Sequence, residues 1–239
     1  MTGIPLHRAP TIRDEMIALK RERILESAIE LFYARGYENT TLEAVAERLS
    51  FTKPFIYSYF KSKTELLGDI CGRGISASLD AMEATSAMKL TATEKLRRLG
   101  REFATAVLRN QKAIAIFSRE EKNLTPADFA RISGMRREFD QKLSALLEQG
   151  VRAREFEIAD IRLAALAIGG MVSWAYVWYR PNGRLALEEV AERIAALILS
   201  MVGAETGEAN AGRRAKARSN HRKSPASIGD RGKRRSRVP

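Results

Sequence analysis

The sequence predicts an all-α protein of about nine helices, in which a small three-helix N-terminal domain precedes a larger helical domain. Apolar residues recur at i, i+3, i+4 and i+7 through most of the first 202 residues, which is the spacing of helices with one buried face. Signals that start helices recur as well, and no alternating strand pattern extends beyond a few residues.

The composition limits the class of partner. The 239 residues are 45% hydrophobic and 29% charged, as expected for globular domains with cores. A net charge of +12 and a pI near 10.1 favour a polyanionic partner, with nucleic acid ahead of a membrane surface. The single cysteine, Cys71, excludes an internal disulfide and predicts a packed thiol in a reducing, cytoplasmic compartment rather than a redox switch.

An enzyme is not expected. The only histidines, His7 and His221, lie near the two ends of the chain, so no histidine is available for base catalysis or a metal cluster in the globular part. No glycine-rich stretch follows a strand in the way that a phosphate-binding loop requires. We therefore predict no catalytic residues, no metal and no cofactor.

The N-terminal domain is predicted over residues 18–78, after a flexible segment over residues 1–17. Its first helix extends from about Arg13 to Arg35. Thr40 and Glu43 have the spacing of a capping box, in which each side chain satisfies a free amide, and this pair is predicted to open the second helix.

The third helix is predicted to be short, from about Lys53 to Phe60. Thr52 is a suitable N-cap, and Pro54 is tolerated in the first turn, where amides lack partners. Ile56 and Phe60, four residues apart, face inward, so the opposite side presents polar and compact groups. Two short helices joined by a tight turn make a helix-turn-helix over residues 41–60, whose second helix fits a DNA major groove. An ordinary three-helix corner with exposed polar residues is the alternative.

Residues 21–70 resemble the N-terminal domain of TetR-type transcriptional regulators. The resemblance is carried by "A.ELF...GY..TT", "VAERL" and "TKPFIYSYFKSKTELL". It implies that the recognition helix contacts DNA through Thr52, Lys53, Pro54, Phe55, Tyr57, Ser58 and Tyr59. It also implies phosphate contacts by Thr40, Thr41 and Lys63, which we place at helix N-termini, where free amides attract anions. Two residues depart from the family pattern. The family usually has glycine in the turn at the position of Ser50, and many members have histidine at the position of Tyr59.

The larger domain, predicted over residues 79–202, is expected to bind an effector and to dimerise. The eighth predicted helix of the chain is apolar on all sides. The ninth is apolar on one side only, and Ile194 lies on that side. Two copies of these last two helices would form a four-helix bundle. The family resemblance implies the same two-fold dimer on a palindromic double-stranded DNA operator. The alternative is that the preceding helices of the same chain cover the apolar run.

That run, Leu163 to Tyr179, contains seventeen uncharged residues between Arg162 and Arg180. A membrane span needs about 20 residues, so a helix buried on all sides in a bundle is the preferred interpretation, and no membrane contact is predicted.

A small hydrophobic effector is expected to occupy an apolar cavity in this domain. Large apolar residues on inward faces are the candidates for its walls: Phe103, Phe117, Phe139, Met171, Trp174 and Trp178. The C-terminal stretch resembles, more weakly, TetR-type members that respond to acyl-CoA thioesters, which would place the CoA phosphates near Arg180 or Arg184. The alternative is that the tryptophans belong to the core or to an interface.

Residues 203–239 hold eleven Lys or Arg and three Asp or Glu, so +8 of the +12 net charge lies there. Few large apolar residues are present, which predicts a disordered basic tail, either a nonspecific DNA-binding arm or a solvated extension. The sequence as a whole predicts a homodimeric repressor released from its operator by a small hydrophobic effector. The alternative is a sequence-tolerant, architectural DNA-binding protein.

Overall fold

A computed structural model of the protein describes residues 11–204, and all regular secondary structure within that range is helical. The α-helices are α1 (Ile12–Arg35), α2 (Leu42–Arg48), α3 (Lys53–Tyr59), α4 (Lys63–Ser86), α5 (Ala92–Arg109), α6 (Gln111–Glu120), α7 (Pro126–Arg152), α8 (Ile161–Ser173), α9 (Ala175–Trp178) and α10 (Leu187–Met201). A 3₁₀ turn over Glu121–Asn123 joins α6 to α7. The predicted all-α fold is confirmed, and His7, His221 and all but the first two residues of the predicted tail lie outside the described residues.

Helix α1 begins at Ile12, inside the N-terminal segment predicted over residues 1–17. The side chain of Thr11 accepts a hydrogen bond from the amide of Asp14, and the Asp14 carboxylate accepts one from the amide of Thr11. This capping box satisfies amides that the first turn leaves free. Residues 12–17 are therefore helical, in agreement with a first helix predicted from about Arg13.

The predicted eighth helix is interrupted at Trp174, which separates α8 from the single turn of α9. The end of α9 is held by side chains that donate to its carbonyl groups. The side-chain Nε2 of Gln111 donates to the carbonyl oxygens of Tyr176 and Tyr179 at 2.7 and 2.9 Å. Arg180 donates to the carbonyls of Val177 and Tyr179, both at 2.9 Å. These bonds replace the helical partners that the last carbonyls lack.

Two hydrophobic cores organise the chain. The first joins α1 to α4 with α6 and the start of α7, and its fully buried side chains include Ile56 and Phe60. The second lies between α4, α5, α7, α8 and α10, where the rings of Phe103 and Phe139 pack with centroids 4.6 Å apart. Helix α4 contributes to both cores and so connects the two halves of the fold.

The apolar run is not buried on all sides within one chain. The segment Ile161–Trp178 is long and apolar enough to cross a membrane by length and composition, with a mean hydropathy of 1.4, and only 22% of it is buried. Ala165, Ile168 and Val172 face the core. The opposite face of the segment is exposed, so the prediction of burial on every side is wrong for the single chain.

Candidate nucleic-acid interface and apolar cavity

Helix α3 presents two faces of different character. Ile56 is fully buried, as is Phe60 immediately after the helix, and these two side chains fix α3 on the core of the N-terminal domain. The outer face is exposed and consists of Thr52, Lys53, Pro54, Tyr57 and Ser58. Five of the seven predicted recognition residues therefore lie on one accessible surface, which combines a cation, a phenol, two hydroxyls and a compact ring.

The other two predicted recognition residues, Phe55 and Tyr59, are half-buried. Their rings continue a row that starts at Phe51, with centroid separations of 4.5 and 5.1 Å along the row. The carbonyl of Tyr59 accepts a hydrogen bond from Arg21 at 2.9 Å. This row supports α3 along one edge and leaves only part of each ring accessible.

The carboxylate of Glu43, on α2, fixes two side chains of the outer face of α3, Lys53 and Tyr57. One oxygen of Glu43 lies 2.7 Å from the Lys53 ammonium and accepts a hydrogen bond from the Tyr57 hydroxyl at 3.1 Å. The hydrogen bond from Lys53, assisted by backbone and Tyr57 bonds, lowers the pKa of Glu43 to about 2. The carboxylate thus stays ionised over the ordinary pH range and occupies one donor each of Lys53 and Tyr57 on the outer face of α3.

The two threonines before α2 have different roles, and the prediction that Thr40 caps this helix with Glu43 is wrong. Thr41 is the N-cap, and its side chain accepts from the amide of Ala44 at 3.1 Å. Thr40 is 1% exposed, and its hydroxyl donates to the carbonyl of Gly36 at 2.9 Å. The amide of Thr40 also donates to the carbonyl of Tyr37, at 3.2 Å, so both donors of Thr40 are engaged within the chain, whereas the Thr41 side chain is exposed.

Lys63 is the third predicted phosphate contact. Its ammonium donates to the carbonyls of Tyr37 and Glu38 at 2.9 and 3.4 Å, and it lies 4.2 Å from the centroid of the Tyr37 ring. Lys63 therefore holds the loop between α1 and α2 against the start of α4.

The turn between α2 and α3 requires a left-handed residue. Ser50 has φ of 54°, a region in which glycine is usual. Its amide donates to the carbonyl of Glu47 at 3.0 Å, and the amide of Phe51 donates to Ala46 at 2.9 Å. These bonds hold the tight turn in spite of the side chain on Ser50.

An apolar cavity of about 340 Å³ lies between α4, α5, α6, α7 and α8. Three of the six predicted wall residues line it, namely Phe103, Phe117 and Phe139. Met171 is half-buried against the surrounding core and is not among the lining residues. Trp174 and Trp178 are 61% and 50% exposed, so placing them on the cavity wall was wrong. They lie on the face of α8 and α9 opposite to Ile168 and Val172.

Two charged residues of α7 that were not among the predicted site residues, Arg136 and Asp140, border this cavity. The guanidinium of Arg136 lies 4.3 Å from the centroid of the Phe117 ring. Burial raises the pKa of Asp140 above its usual value, and Arg136 partly opposes that shift. Their spacing of four residues, on either side of the inward Phe139, was the available signal, because i and i+4 share a helix face.

Cys71 also lines the cavity and is 6% exposed. Burial raises the pKa of its thiol to about 12, with Asp128 and Glu120 adding to the effect. The thiolate is the reactive form of cysteine, so Cys71 is inert at neutral pH, in agreement with the predicted packed thiol.

A groove of about 700 Å³ between α7 and α8 adjoins the cavity, since Asp140 and Leu166 line both. Arg137 and Arg162 also line the groove. The predicted CoA-phosphate residue Arg180 lines neither space and donates to backbone carbonyls instead. The cationic groups beside the cavity are therefore those of α7 and of the start of α8.

An exposed apolar surface covers the outer side of the last helices. From α8 and α9 it includes Leu163, Leu166, Trp174 and Trp178, each at least 50% exposed. From α10 it includes Leu197 and Met201, which are 56% and 46% exposed. Ile194, by contrast, is 5% exposed and belongs to the core of the single chain.

Both halves of the chain match known protein domains. Residues 24–70 match the family described as "Bacterial regulatory proteins, tetR family", and residues 89–202 match "Tetracyclin repressor-like, C-terminal domain". Among curated proteins, the chain is similar to the HTH-type transcriptional repressor KstR2 of Rhodococcus jostii (strain RHA1). The two are 26% identical over 182 residues, which is 75% of this chain and 89% of the relative.

Solved structures give the same assignment. The TetR family transcriptional regulator PfmR from Thermus thermophilus has a TM-score of 0.68 and 31% identity, covering 74% of this chain and 97% of PfmR. AibR in complex with isovaleryl coenzyme A and operator DNA has a TM-score of 0.64 and 26% identity, covering 78% of this chain and all of AibR. With its exposed recognition helix in the matched N-terminal region, this chain belongs to the TetR family of helix-turn-helix transcriptional regulators.

Proposed function

We propose that this protein is a homodimeric repressor that binds a palindromic operator and is released from it by an acyl-CoA thioester. The observation that carries the proposal is the adjacency of an apolar cavity and a groove in a chain whose α3 presents an exposed recognition face. The groove is lined by two arginines, Arg137 and Arg162, and by two carboxylates, Asp140 and Glu148. The cavity suits an acyl group, and the groove suits phosphates, which arginine binds well.

The exposed surface of α8, α9 and α10 supports a dimer. Soluble monomers rarely expose large contiguous apolar patches, and such patches mark interaction sites. A two-fold axis through this surface would bury Trp174 and Trp178 against the second copy. The dimer would present two copies of α3 to successive major grooves, and a palindromic site matches that symmetry.

The effector is proposed from size, charge and similarity together. A cavity of about 340 Å³ is at the small end of ligand pockets, which favours a short or medium acyl chain. Arg137 and Arg162 in the adjoining groove would meet the phosphates of coenzyme A. AibR, a relative of known structure, was solved with isovaleryl coenzyme A and operator DNA, so a thioester is the effector class to test first.

Selection of binding sites from random duplexes tests the DNA-binding part. We expect a palindromic site that is bound about a thousandfold or more tightly than unrelated DNA, as for specific regulators. Recovery of asymmetric or unrelated sequences with equal affinity would instead favour the sequence-tolerant architectural protein.

Titration of the operator complex with acyl-CoA esters tests the effector. Short, medium, long and aromatic esters are compared with the free acids and with free coenzyme A, and only esters are expected to release DNA. Arg162→Gln should weaken release, whereas the control Arg184→Gln, at an exposed position that lines neither the cavity nor the groove, should not. If no ester acts at about 100 μM, a level that corresponds to only about −5.5 kcal/mol of affinity, the effector is not an acyl-CoA.

A further inference from the structure

A second cleft, of about 680 Å³, lies where the N-terminal helices meet the junction of α5 and α6. It shares no lining residue with the apolar cavity. Its walls come from α1, α2, α4, α5 and α6, so both halves of the fold contribute. Five of its lining residues are basic, against two carboxylates: Arg23, Arg48, Arg73, Arg109 and Lys112.

The positive charge of this cleft is only partly neutralised by the protein. Lys112 pairs with both oxygens of Glu30 at 2.5 and 2.6 Å, and Arg73 pairs with Glu22. Within residues 11–204, the other three arginines of the cleft take part in no ion pair: Arg23, Arg48 and Arg109. Since arginine is always charged, the cleft holds an excess of cations that would favour an anion.

Two buried donors in the cleft also lack acceptors. Ser27 is 6% exposed, and its hydroxyl has no hydrogen-bond partner among the described residues. The Nη1 of Arg73 is likewise buried and without a partner in that part of the chain. Buried polar groups in proteins are nearly always hydrogen-bonded, so two unused donors in one cleft indicate a place for an acceptor.

The first turn of α6 forms part of the same wall, through Gln111, Lys112 and Ala113. The N-cap residue Asn110 turns its side chain back to donate to the carbonyl of Ala106 at 2.8 Å. Among the described residues, no side-chain cap serves this turn. The positive end of the α6 dipole therefore faces the cleft, which adds to the attraction for an anion.

We propose that this cleft binds a small polyphosphate anion of nucleotide size, at a site separate from the acyl-CoA site. Its volume lies within the range of small-molecule pockets and exceeds what one phosphate needs. Arg23 and Arg109 stand on opposite domains and would contact the phosphates together. Ile29, Leu49 and Pro181 supply an apolar border for a base or a similar ring. The bound anion would tie α1 and α2 to α5 and α6.

Calorimetric titration of the full-length protein with pyrophosphate, ATP and free coenzyme A tests the proposal. Arg23→Gln and Arg109→Gln remove one cation from each side of the cleft. Arg97→Gln, on the same helix as Arg109 but outside the cleft, is the matched control. Loss of one charge-assisted contact should weaken binding of pyrophosphate by about tenfold, and the control should bind like the parent protein. Tighter binding of ATP that both cleft variants weaken would identify a free nucleotide. Tighter binding of coenzyme A that both cleft variants weaken would place the cleft in the acyl-CoA site and overturn the proposal of a separate site.

Hydrogen exchange locates the bound anion. Pyrophosphate should slow exchange of the amides of Gln111, Lys112 and Ala113, which binding at any other basic surface would leave unchanged. Equal affinity of the parent protein and both cleft variants, with no protection in α6, would overturn the proposal. Protection of these amides by duplex DNA but not by pyrophosphate would also overturn it, because the cleft would then serve a nucleic-acid backbone.

Discussion

Replacing Leu197 by Asp tests whether the exposed surface of the last helices is the dimer interface. Leu197 lies on the outer side of α10 and is 56% exposed in the single chain. The substitution therefore leaves the core of the chain intact. Ile194 would be an unsuitable position, because it is 5% exposed and a charge there would unfold the monomer.

The expected magnitude follows from the exposed fraction. Full burial of a leucine contributes about 1.5 to 3 kcal/mol, so burial of the remaining half would contribute about 1 to 1.5 kcal/mol. A two-fold axis doubles this contribution to about 2 to 3 kcal/mol. Two unpaired carboxylates at the interface add a desolvation cost of several kcal/mol. The dimer dissociation constant should then rise by about a thousandfold or more.

Sedimentation equilibrium of the parent protein and of Leu197→Asp measures the dimer dissociation constant directly. Leu19→Asp is the matched control, because Leu19 is also 56% exposed but lies on α1. We expect the control to remain dimeric, and both variants to keep the helical content of the parent. A dimer of unchanged strength in Leu197→Asp would refute the assignment of this surface.

Three further predictions concern single side chains. Glu43→Gln should release Lys53 and so steepen the dependence of operator affinity on salt concentration. The log–log slope should change by about 0.9 for each lysine that gains a phosphate contact, or about 1.8 for two protomers. An identical slope would show that Glu43 does not compete with DNA. Ser50→Gly should raise the free energy of unfolding in urea by about 0.5 to 1 kcal/mol, because glycine relieves the left-handed backbone strain at this position. Ser50→Ala should not raise it. Equal stability of the two variants would contradict the presence of strain at Ser50. Asp140 has a raised pKa, so its contribution to stability is greatest below its ordinary pKa and is lost as pH rises through the folded pKa. Asp140→Asn should therefore melt at a higher temperature than the parent at pH 7 and at a similar temperature near pH 3, and a difference that does not depend on pH would argue against desolvation of this carboxyl.

Local signals in the sequence located the helix-turn-helix well. The short helix α3 (Lys53–Tyr59) could be predicted from an N-cap residue, from a proline in the first turn, where it is tolerated, and from two apolar residues four positions apart. The assignment of Thr40 failed because both threonines of the pair have the residue type of an N-cap. Only the fold decides between them, since it places Thr40 against the carbonyls of Leu31 and Gly36.

The C-terminal half was less predictable because its eighth helix is apolar on every face. Such a helix gives no periodic signal that tells the inward side chains from the outward ones. Phe103 and Phe139 were placed correctly, since α5 and α7 have one clearly apolar face. Trp174 and Trp178 were not, because the break after Ser173 and the packing of Ile168 and Val172 turn them outward.

Helix α4 provides the physical connection between the apolar cavity and the recognition helix. Its 24 residues span about 36 Å at 1.5 Å per residue, with Lys63 near α3 and Ser78 on the cavity wall. Two glycines permit its close contact with the larger domain. A Cβ at Gly68 would lie 2.6 Å from the Asp128 carboxyl group, and one at Gly74 would lie 2.9 Å from Ile114. An acyl group that enlarges the cavity would press on α4 where it packs closely on α6 and α7, and close-packed interiors transmit such strain rather than absorb it. The displacement would move the first turn of α4 and, with it, the buried base of α3 formed by Ile56 and Phe60. Release from DNA then requires only that the effector bind this displaced arrangement more tightly than the arrangement that fits the operator.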